Sequence, residues 1–297
     1  MQIALPRWLC VPLAIGVLLL GGCKHDRPPE IVVGSKFFTE QVVLAELLAQ
    51  HIEARTGIAV DRKENLGGTL LVHQAMLAGQ LDLYVEYTGT ALTAVLNEKP
   101  EGDSKQVYAK VRKEYAERFG LEVTEPLGFE NTFAMVIRGE DAKKFNLRKL
   151  SDLAGVAPNW RAGVGYEFLE RPDGFEGLCQ SYNLRFGLKP RVMDLGLIYR
   201  ALVDRQVDVV AGNSTDGLID ALGLVALEDD RHYFPPYDAV PIVRQSTLAK
   251  FPGLRAALAE LAGKVSDTNI RRMNYAVDGL HRNPAEVVQE FRKVKGL

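Results

Sequence analysis

The sequence predicts an α/β protein with two lobes, built on two mainly parallel sheets that two crossover strands join. Three observations support this class. Short apolar strands alternate with amphipathic helices in βαβαβ order, the pattern restarts after Gly139, and two extended segments separate the repeats. Apolar residues form 47% of the 297-residue chain and charged residues 25%, which is typical of a well-filled core. A net charge of -2 argues against a nucleic-acid-binding protein.

The N-terminus differs from the rest of the chain. Arg7 is the only charged residue before an apolar run from Trp8 to Leu20. This pattern is typical of a secretory signal peptide, predicted here for residues 1–22; the alternative is a membrane-anchoring helix that is retained. Leu20-Gly21-Gly22-Cys23 resembles the bacterial lipoprotein box. The resemblance implies cleavage before Cys23, its acylation, and an exported protein held on a bacterial membrane.

Cysteine usage after that cleavage predicts no internal disulfide. Removing residues 1–22 also removes Cys10, so Cys179 would be the one thiol beside a lipidated Cys23. Residues 23–30, which include Pro28-Pro29, indicate a short tether.

The first predicted lobe comprises residues 31–137 and 240–297. Strands are expected at 31–34, 58–61 and 82–85, and helices from Thr39, as N-cap, to Gly57, from Gly67 to Gly79 and over 104–119. The C-terminal segment from Phe251 is predicted to be helical, over 253–265, 267–278 and 284–295.

The second predicted lobe comprises residues 138–239. Helices are expected at 150–153, 174–186, 195–203 and 217–222, and strands at 162–164, 191–193, 207–211 and 224–227. The chain would cross near Val136–Arg138 and return near Val240–Arg244, forming a hinge that closes two lobes around a ligand. The alternative is one continuous domain with a helical tail.

An internal similarity links the two lobes. When Gln80 is aligned with Gln206, each copy shows a helix end, a Gln-apolar-Asp turn, a strand and a polar loop. Tyr87 then falls on Asn213. We interpret the copies as facing loops that close on one ligand.

Enzyme motifs are missing from the sequence, whereas binding features are present. No G-x-S-x-G, H-E-x-x-H or Walker A run occurs, and the five histidines lack metal-ligand spacing, so we expect no catalytic residue, metal or cofactor. Aromatic residues gather at the predicted strand ends beside Lys36 and Arg171. Rings attract cations and basic groups hold carboxylates, which favours a zwitterionic ligand. Core packing is the alternative for any single ring; Tyr84 is expected in the core and Tyr87 at the ligand.

Four motifs carry a family resemblance. They are Gly34-Ser35-Lys36-Phe37-Phe38-Thr39-Glu40-Gln41, Asp82-Leu83-Tyr84-Val85-Glu86-Tyr87-Thr88-Gly89-Thr90, Ser214-Thr215-Asp216-Gly217 and Phe234-Pro235-Pro236-Tyr237. In this order they resemble the osmoprotectant-binding proteins of ABC importers, which bind glycine betaine, carnitine or choline and have the type II periplasmic-binding-protein fold. The resemblance implies an extracytoplasmic receptor that delivers solute to a permease and an ATPase.

The resemblance also implies site residues. Matching positions are Tyr87 and Tyr237 as box tyrosines around a quaternary ammonium, Lys36, Thr90 and Arg171 on the carboxylate side, Phe133 where a tyrosine is common, and Asn213 where another box tyrosine is expected. The departure at Asn213 removes a ring and adds an amide that needs partners. We therefore expect weak glycine betaine binding, or a more polar ligand such as a betainised amino acid.

The leading hypothesis is a lipid-anchored solute-binding protein of an osmoprotectant-type ABC importer. An enzyme on the same scaffold and a ligand-sensing or scaffolding lipoprotein without a transport partner are the alternatives.

Overall fold

The computed structural model describes residues 30–99 and 103–297, and these form two five-stranded sheets. The strands are β1 (Ile31–Gly34), β2 (Val60–Lys63), β3 (Leu83–Tyr87), β4 (Leu121–Val123), β5 (Phe133–Arg138), β6 (Ala162–Val164), β7 (Arg191–Val192), β8 (Val209–Asn213), β9 (Leu224–Ala226) and β10 (Ala239–Arg244). Their orders are β2-β1-β3-β10-β4 and β7-β6-β8-β5-β9. The predicted signal peptide (residues 1–22), Cys23 and the tether as far as residue 29 lie outside the described residues.

Both sheets are mixed, so the prediction of mainly parallel sheets is corrected. In the first sheet β1 runs parallel to β2 and β3, whereas β10 runs antiparallel to β3 and β4. In the second sheet β6 runs parallel to β7 and β8, whereas β5 runs antiparallel to β8 and β9. The antiparallel strand is in each case the one that arrives from the other sheet, because no βαβ connection fixes its direction.

The helices follow the predicted order closely. They are α1 (Thr39–Thr56), α2 (Thr69–Leu77), α3 (Thr88–Thr90), α4 (Ser104–Phe119), α5 (Gly139–Phe145), α6 (Tyr166–Glu170), α7 (Phe175–Tyr182), α8 (Ile198–Val203), α9 (Leu218–Ala221), α10 (Gln245–Lys250), α11 (Gly253–Glu260), α12 (Asp267–Asp278) and α13 (Pro284–Lys295). A π-helical turn (Ala91–Val95) extends α3, and 3-10 turns lie at Leu150–Gly155, Ala157–Asn159 and Leu195–Leu197. Below, the first lobe is the first sheet with α1–α4 and α10–α13, and the second lobe is the second sheet with α5–α9.

Two helix ends differ from prediction. Phe38, not Thr39, is the N-cap residue of α1, and the Thr39 hydroxyl donates instead to Asp278 Oδ1 at 2.5 Å. Helix α7 ends at Tyr182 rather than near residue 186, because Asn183 adopts a left-handed conformation with φ of 51°.

The core of the first lobe forms around α1. Its residues Leu44, Leu47 and Leu48 are fully buried against the strands and the C-terminal helices. Burial of one such side chain contributes roughly 1.5–3 kcal/mol. Tyr84 is also fully buried, in a neighbouring cluster with Val107 and other apolar residues, which confirms its predicted core position. No helix in the described part of the chain is long and apolar enough to cross a membrane.

The two crossovers between the lobes lie side by side. Glu130 and Asp238 form an antiparallel bridge, and the Asn131 N–H donates to the Tyr237 carbonyl at 3.1 Å. All of Phe133–Arg138 belongs to the second sheet, so the lobe boundary predicted between residues 137 and 138 falls inside a strand. The first crossing thus precedes Phe133, because β5 pairs with β8 from Phe133 to Ile137.

Candidate functional site

One cavity between the lobes brings together all seven residues singled out from the sequence. Its empty volume is about 570 Å³, including its opening to solvent. The first lobe supplies Lys36, Tyr87 and Thr90, the second supplies Phe133, Arg171 and Asn213, and the return crossover supplies Tyr237.

Aromatic rings form one side of this cavity. Phe133 lies with its ring centre 5.9 Å from that of Tyr237, nearly perpendicular to it, and 4.6 Å from that of Phe168. Tyr87 stacks with Phe38 at 6.5 Å. The Tyr87 hydroxyl points away from the cavity, donating to Glu40 Oε1 at 2.6 Å and accepting from Gln41 Nε2 at 3.0 Å. The ring is therefore held by polar contacts at its far end.

Arg171 joins the two lobes beside these rings. Its Nη1 donates to Thr90 Oγ1 at 3.0 Å, while Nε and Nη2 donate to the two oxygens of Asp173 at 2.8 and 2.6 Å. Asp173 also accepts from the Tyr237 hydroxyl at 2.5 Å. Burial alone would raise the pKa of Asp173, but the hydrogen bonds and charge of Arg171 outweigh it, so the pKa is lowered. The guanidinium lies 5.1 Å from the Phe133 ring centre.

Lys36 is also paired with a carboxylate of the protein, that of Glu86. Its Nζ lies 2.5 Å from Glu86 Oε1 and 3.2 Å from Thr69 Oγ1, and 5.0 Å from the Tyr87 ring centre. An ammonium group has three hydrogens, so one remains for a ligand. Glu86 and Asp173, the carboxylate partners of Lys36 and Arg171, were not predicted from the sequence.

Asn213 ends β8 directly opposite Phe133 of β5. Its backbone N–H donates to Asp216 Oδ2 at 3.0 Å, and the same oxygen accepts from the Tyr199 hydroxyl at 2.5 Å. Burial raises the pKa of Asp216 to about 7. The loop thus presents an amide to the cavity with a carboxyl group behind it.

The lobes touch each other across the cavity. Besides the Arg171–Thr90 contact, Glu167 Oε1 accepts from the backbone N–H of Thr69 at 2.6 Å, at the start of α2. Thr215 Oγ1 donates to Glu40 Oε2 at 2.5 Å. The structure is therefore that of closed lobes.

Four acidic residues at this site, Glu40, Glu86, Glu167 and Asp173, were not singled out from the sequence. Glu40 could have been predicted to be buried, because it lies in the first turn of α1, next to positions whose apolar spacing predicts the core. Glu86 lies within β3, where a charged residue suggests a solvent-facing position, yet it is fully buried. In the described ranges no group of three or more His, Cys, Asp or Glu residues could hold a metal ion.

Comparisons with known proteins agree with this architecture. The family model for the substrate-binding domain of ABC-type glycine betaine transport systems matches residues 29–294. The carnitine transport binding protein OpuCC of Listeria monocytogenes is 38% identical over 274 residues, which cover 92% of this chain and 88% of that protein. The glycine-betaine-binding protein of Pseudomonas aeruginosa is 34% identical over 295 residues, covering 96% and 93%.

Two further proteins are similar to this chain. The ergothioneine transport permease/ergothioneine binding protein EgtU of Helicobacter pylori is 34% identical over 274 residues, covering 92% of this chain but 48% of that protein. A solved glycine betaine/carnitine/choline ABC transporter structure superposes with a TM-score of 0.75 and 34% identity, covering 90% of this chain and 98% of that chain.

These matches confirm the resemblance drawn from the four motifs and the predicted two-lobed fold of the type II periplasmic binding proteins. They also place the chain among transport proteins that bind substrate. The chain belongs to the family of substrate-binding domains of ABC-type glycine betaine transport systems.

Proposed function

We propose that this protein is the solute-binding component of an ABC importer for a zwitterionic quaternary-ammonium compound. The observation that carries the proposal is one cavity whose lining combines aromatic rings with the Arg171–Thr90 pair. Closure of the lobes around the solute would create the surface that a permease recognises.

The two ends of such a solute have different partners in the cavity. A quaternary ammonium has no N–H to donate, so it is recognised by ring faces, here Tyr87, Phe133 and Tyr237. Each such face is worth about 0.5–2 kcal/mol, depending on desolvation. A carboxylate would accept hydrogen bonds from Arg171 and Thr90, with the third ammonium hydrogen of Lys36 as a further donor.

The ligand we propose is more polar than glycine betaine. Asn213 replaces a ring with an amide that both donates and accepts, and Phe133 lacks a hydroxyl. A betainised amino acid would place its quaternary ammonium against the rings and a polar side chain beside Asn213. The similarity to carnitine- and ergothioneine-binding proteins, alongside glycine-betaine-binding ones, supports a search beyond glycine betaine.

We also propose export and lipid anchoring. The apolar run before Cys23 and the Leu-Gly-Gly-Cys box support cleavage after Gly22, acylation of Cys23 and a position outside the cytoplasm. Mass spectrometry of the protein isolated from membranes would test it; an unprocessed N-terminus would contradict it. We further propose that the solute leaves the protein chemically unchanged, because the relatives are transport proteins and not enzymes.

A thermal-shift screen followed by calorimetry tests the function. The full chain, purified in detergent, would be screened against glycine betaine, carnitine, choline and betainised amino acids, because a ligand that binds the folded state raises its apparent stability. The unmethylated parent amino acids are the matched controls. We expect stabilisation only by methylated compounds, with a betainised amino acid binding more tightly than glycine betaine. Submicromolar glycine betaine binding would contradict the ligand assignment, and no stabilisation by any compound would contradict the function.

A further inference from the structure

A buried carboxylate, that of Glu40, lies behind the aromatic wall of the cavity. The side chain is 2% exposed in the first turn of α1. It accepts four hydrogen bonds, from Tyr87 Oη (2.6 Å) and Asn131 Nδ2 (2.8 Å) on Oε1, and from Thr215 Oγ1 (2.5 Å) and Asn274 Nδ2 (2.9 Å) on Oε2. Both carboxylate oxygens are therefore fully occupied by donors.

These donors come from four separate parts of the fold. Tyr87 ends β3, Asn131 lies on the first crossover, Asn274 lies on α12, and Thr215 belongs to the second lobe. Asn274 also donates to the Thr215 carbonyl at 3.1 Å, which ties the same second-lobe loop to α12. Glu40 thus touches the cavity wall, the crossover and the opposite lobe at once.

All four donors are neutral, so the charge of Glu40 is not balanced. Within residues 30–99 and 103–297, Glu40 forms no salt bridge, and the two basic residues of the cavity are already paired with Glu86 and Asp173. A buried charge without a counter-ion is costly. A cationic group against the Tyr87 ring would supply the missing positive charge.

The neighbouring amides both donate to Glu40. Asn131 and Asn274 turn their NH₂ groups towards it, and both leave their own buried carbonyl oxygens without a partner in the described part of the chain. The hydroxyls of Tyr87 and Thr215 can accept as well as donate, so a protonated Glu40 can donate to one of them while the amides still donate to it. The surroundings therefore accommodate both protonation states of Glu40, and a bound cation would favour the charged one.

We propose that Glu40 is a positioning residue that couples capture of a cationic group to closure of the lobes. Its carboxylate fixes the Tyr87 ring from behind, balances the charge of the ligand and receives Thr215 from the second lobe. This inference rests on the proposed function, since it requires a quaternary-ammonium ligand in the cavity.

The surroundings of Glu40 couple ligand binding to the protonation state of its carboxyl group. Burial raises its pKa, while the hydrogen bonds from Thr215, Tyr87, Asn274 and Asn131 oppose the rise. The charged and titratable groups around it are Tyr87 on β3, Lys36 over the Tyr87 ring, Asp216 beside Thr215 and Asp278 on α12. A bound cation favours ionised Glu40, so binding should release a proton and tighten as pH rises.

Calorimetry on the full chain in detergent tests this, with glycine betaine and carnitine as probes. Titrations in two buffers of different ionisation enthalpy, between about pH 5 and 8, measure protons released on binding. We expect wild-type protein to release protons and Glu40→Gln to bind at least about tenfold more weakly with no release. Glu40→Asp, which keeps the charge, should recover part of the affinity and the pH dependence.

Two control variants separate Glu40 from its neighbours. Glu46→Gln changes another buried carboxylate of α1, one that pairs with Arg62, and should leave the pH profile unchanged. Asp216→Asn removes the nearby group with the raised pKa and should leave proton release in place. Thr215→Val should weaken ligand-induced compaction in small-angle scattering while the proton release persists.

The outcomes distinguish the two proposals. If wild-type protein binds neither probe, the betainised amino acid that stabilises it most in the thermal-shift screen takes their place. If it binds none of these compounds, the proposed function loses its support and this inference falls with it. If wild-type protein binds but releases no proton, or if Glu40→Gln binds with wild-type affinity and pH profile, the role of Glu40 is overturned while the proposed function stands. If Glu40→Gln does not fold, Glu40→Asp together with the wild-type proton release decides.

Discussion

The loop after β3 and the loop after β8 occupy the same place in their sheets but carry different chemistry. Each strand lies between a parallel neighbour and the antiparallel crossover strand, and each loop opens towards the cavity. The first loop supplies the Tyr87 ring and the Thr90 hydroxyl. The second supplies the Asn213 amide and the Thr215 hydroxyl that reaches Glu40. The shared framework fixes position, whereas the side chains differ: a ring and a hydroxyl after β3, an amide and a hydroxyl after β8.

A glycine beside each loop supports this division. A Cβ on Gly89 would lie 2.7 Å from Tyr237 ring atoms, whereas one on Gly212 would lie 2.1 Å from the Tyr199 hydroxyl. The first glycine therefore makes room for a ring of the cavity. The second makes room for the tyrosine that donates to Asp216.

The largest expected effect comes from Arg171, which links the second lobe to Thr90 after β3. Arg171→Ala leaves Asp173 buried without its cation, and breaking such a pair costs roughly 2–5 kcal/mol, so we expect at least about a thirtyfold loss of affinity in calorimetry. Arg185→Ala changes an exposed arginine of the same lobe and serves as the control. Unchanged affinity would remove Arg171 from the site.

Replacing the ring of the first loop should have the next largest effect. Tyr87→Ala removes a cation-binding face and a donor to Glu40, and we expect ligand binding to fall below detection in a thermal-shift assay. Tyr87→Phe keeps the face and loses only the donor, so its affinity should lie between those of wild type and Tyr87→Ala. Equal effects of the two substitutions would show that the ring face is not what binds.

Supplying a ring to the second loop should make the two loops alike. Asn213→Tyr adds an aromatic face worth about 1–2 kcal/mol to a cation, so we expect roughly tenfold tighter glycine betaine binding by calorimetry. The unmethylated amino acid should bind no more tightly to Asn213→Tyr than to wild type. This control separates binding of the quaternary ammonium by the ring from nonspecific apolar binding. A loss of betaine affinity would mean that Asn213 itself holds the ligand.

The last effect concerns the carboxyl group of the second loop, and it changes stability and not the binding contacts themselves. Burial raises the pKa of Asp216 from its usual value near 3.8 to about 7. The folded state holds this proton more tightly than the unfolded state, so its stabilising effect is complete below about pH 4 and is lost as pH rises through 7. Because Asp216 is partly exposed, we expect a loss on the order of 2 kcal/mol. In chemical denaturation, the free energy of unfolding should decline less steeply with rising pH for Asp216→Asn than for wild type. An unchanged slope would contradict the assignment of this pH dependence to Asp216.

Local sequence patterns predicted most of the elements, but not how the crossovers pair. Apolar spacing located α1, α2, α4 and the C-terminal helices. The family resemblance located all seven cavity residues, four of which (Lys36, Tyr87, Thr90 and Tyr237) lie in the four motifs. The short strand β4 and the helices α5, α6 and α10 were missed, because each has only a few residues and depends on contacts distant in sequence. The placement of β5 in the second sheet is likewise set by β8, about seventy residues later.

The acidic partners escaped prediction for a related reason. Nothing near Glu86 in the sequence indicates that Lys36 will lie against it, fifty residues earlier. Asp173 stands two residues from Arg171, but its contact with Tyr237 appears only when the return crossover is in place. The sequence identified the cavity residues that we propose to bind the ligand, whereas the carboxylates paired with them became visible only in the fold.

The paired crossovers have a mechanical consequence. The Glu130–Asp238 bridge and the Asn131–Tyr237 hydrogen bond hold the two antiparallel connecting segments side by side along one line. Swinging the lobes about that line bends both segments together, whereas twisting one lobe against the other would shear the contacts between them. Opening about that line should therefore strain these contacts less than a twist of the lobes would.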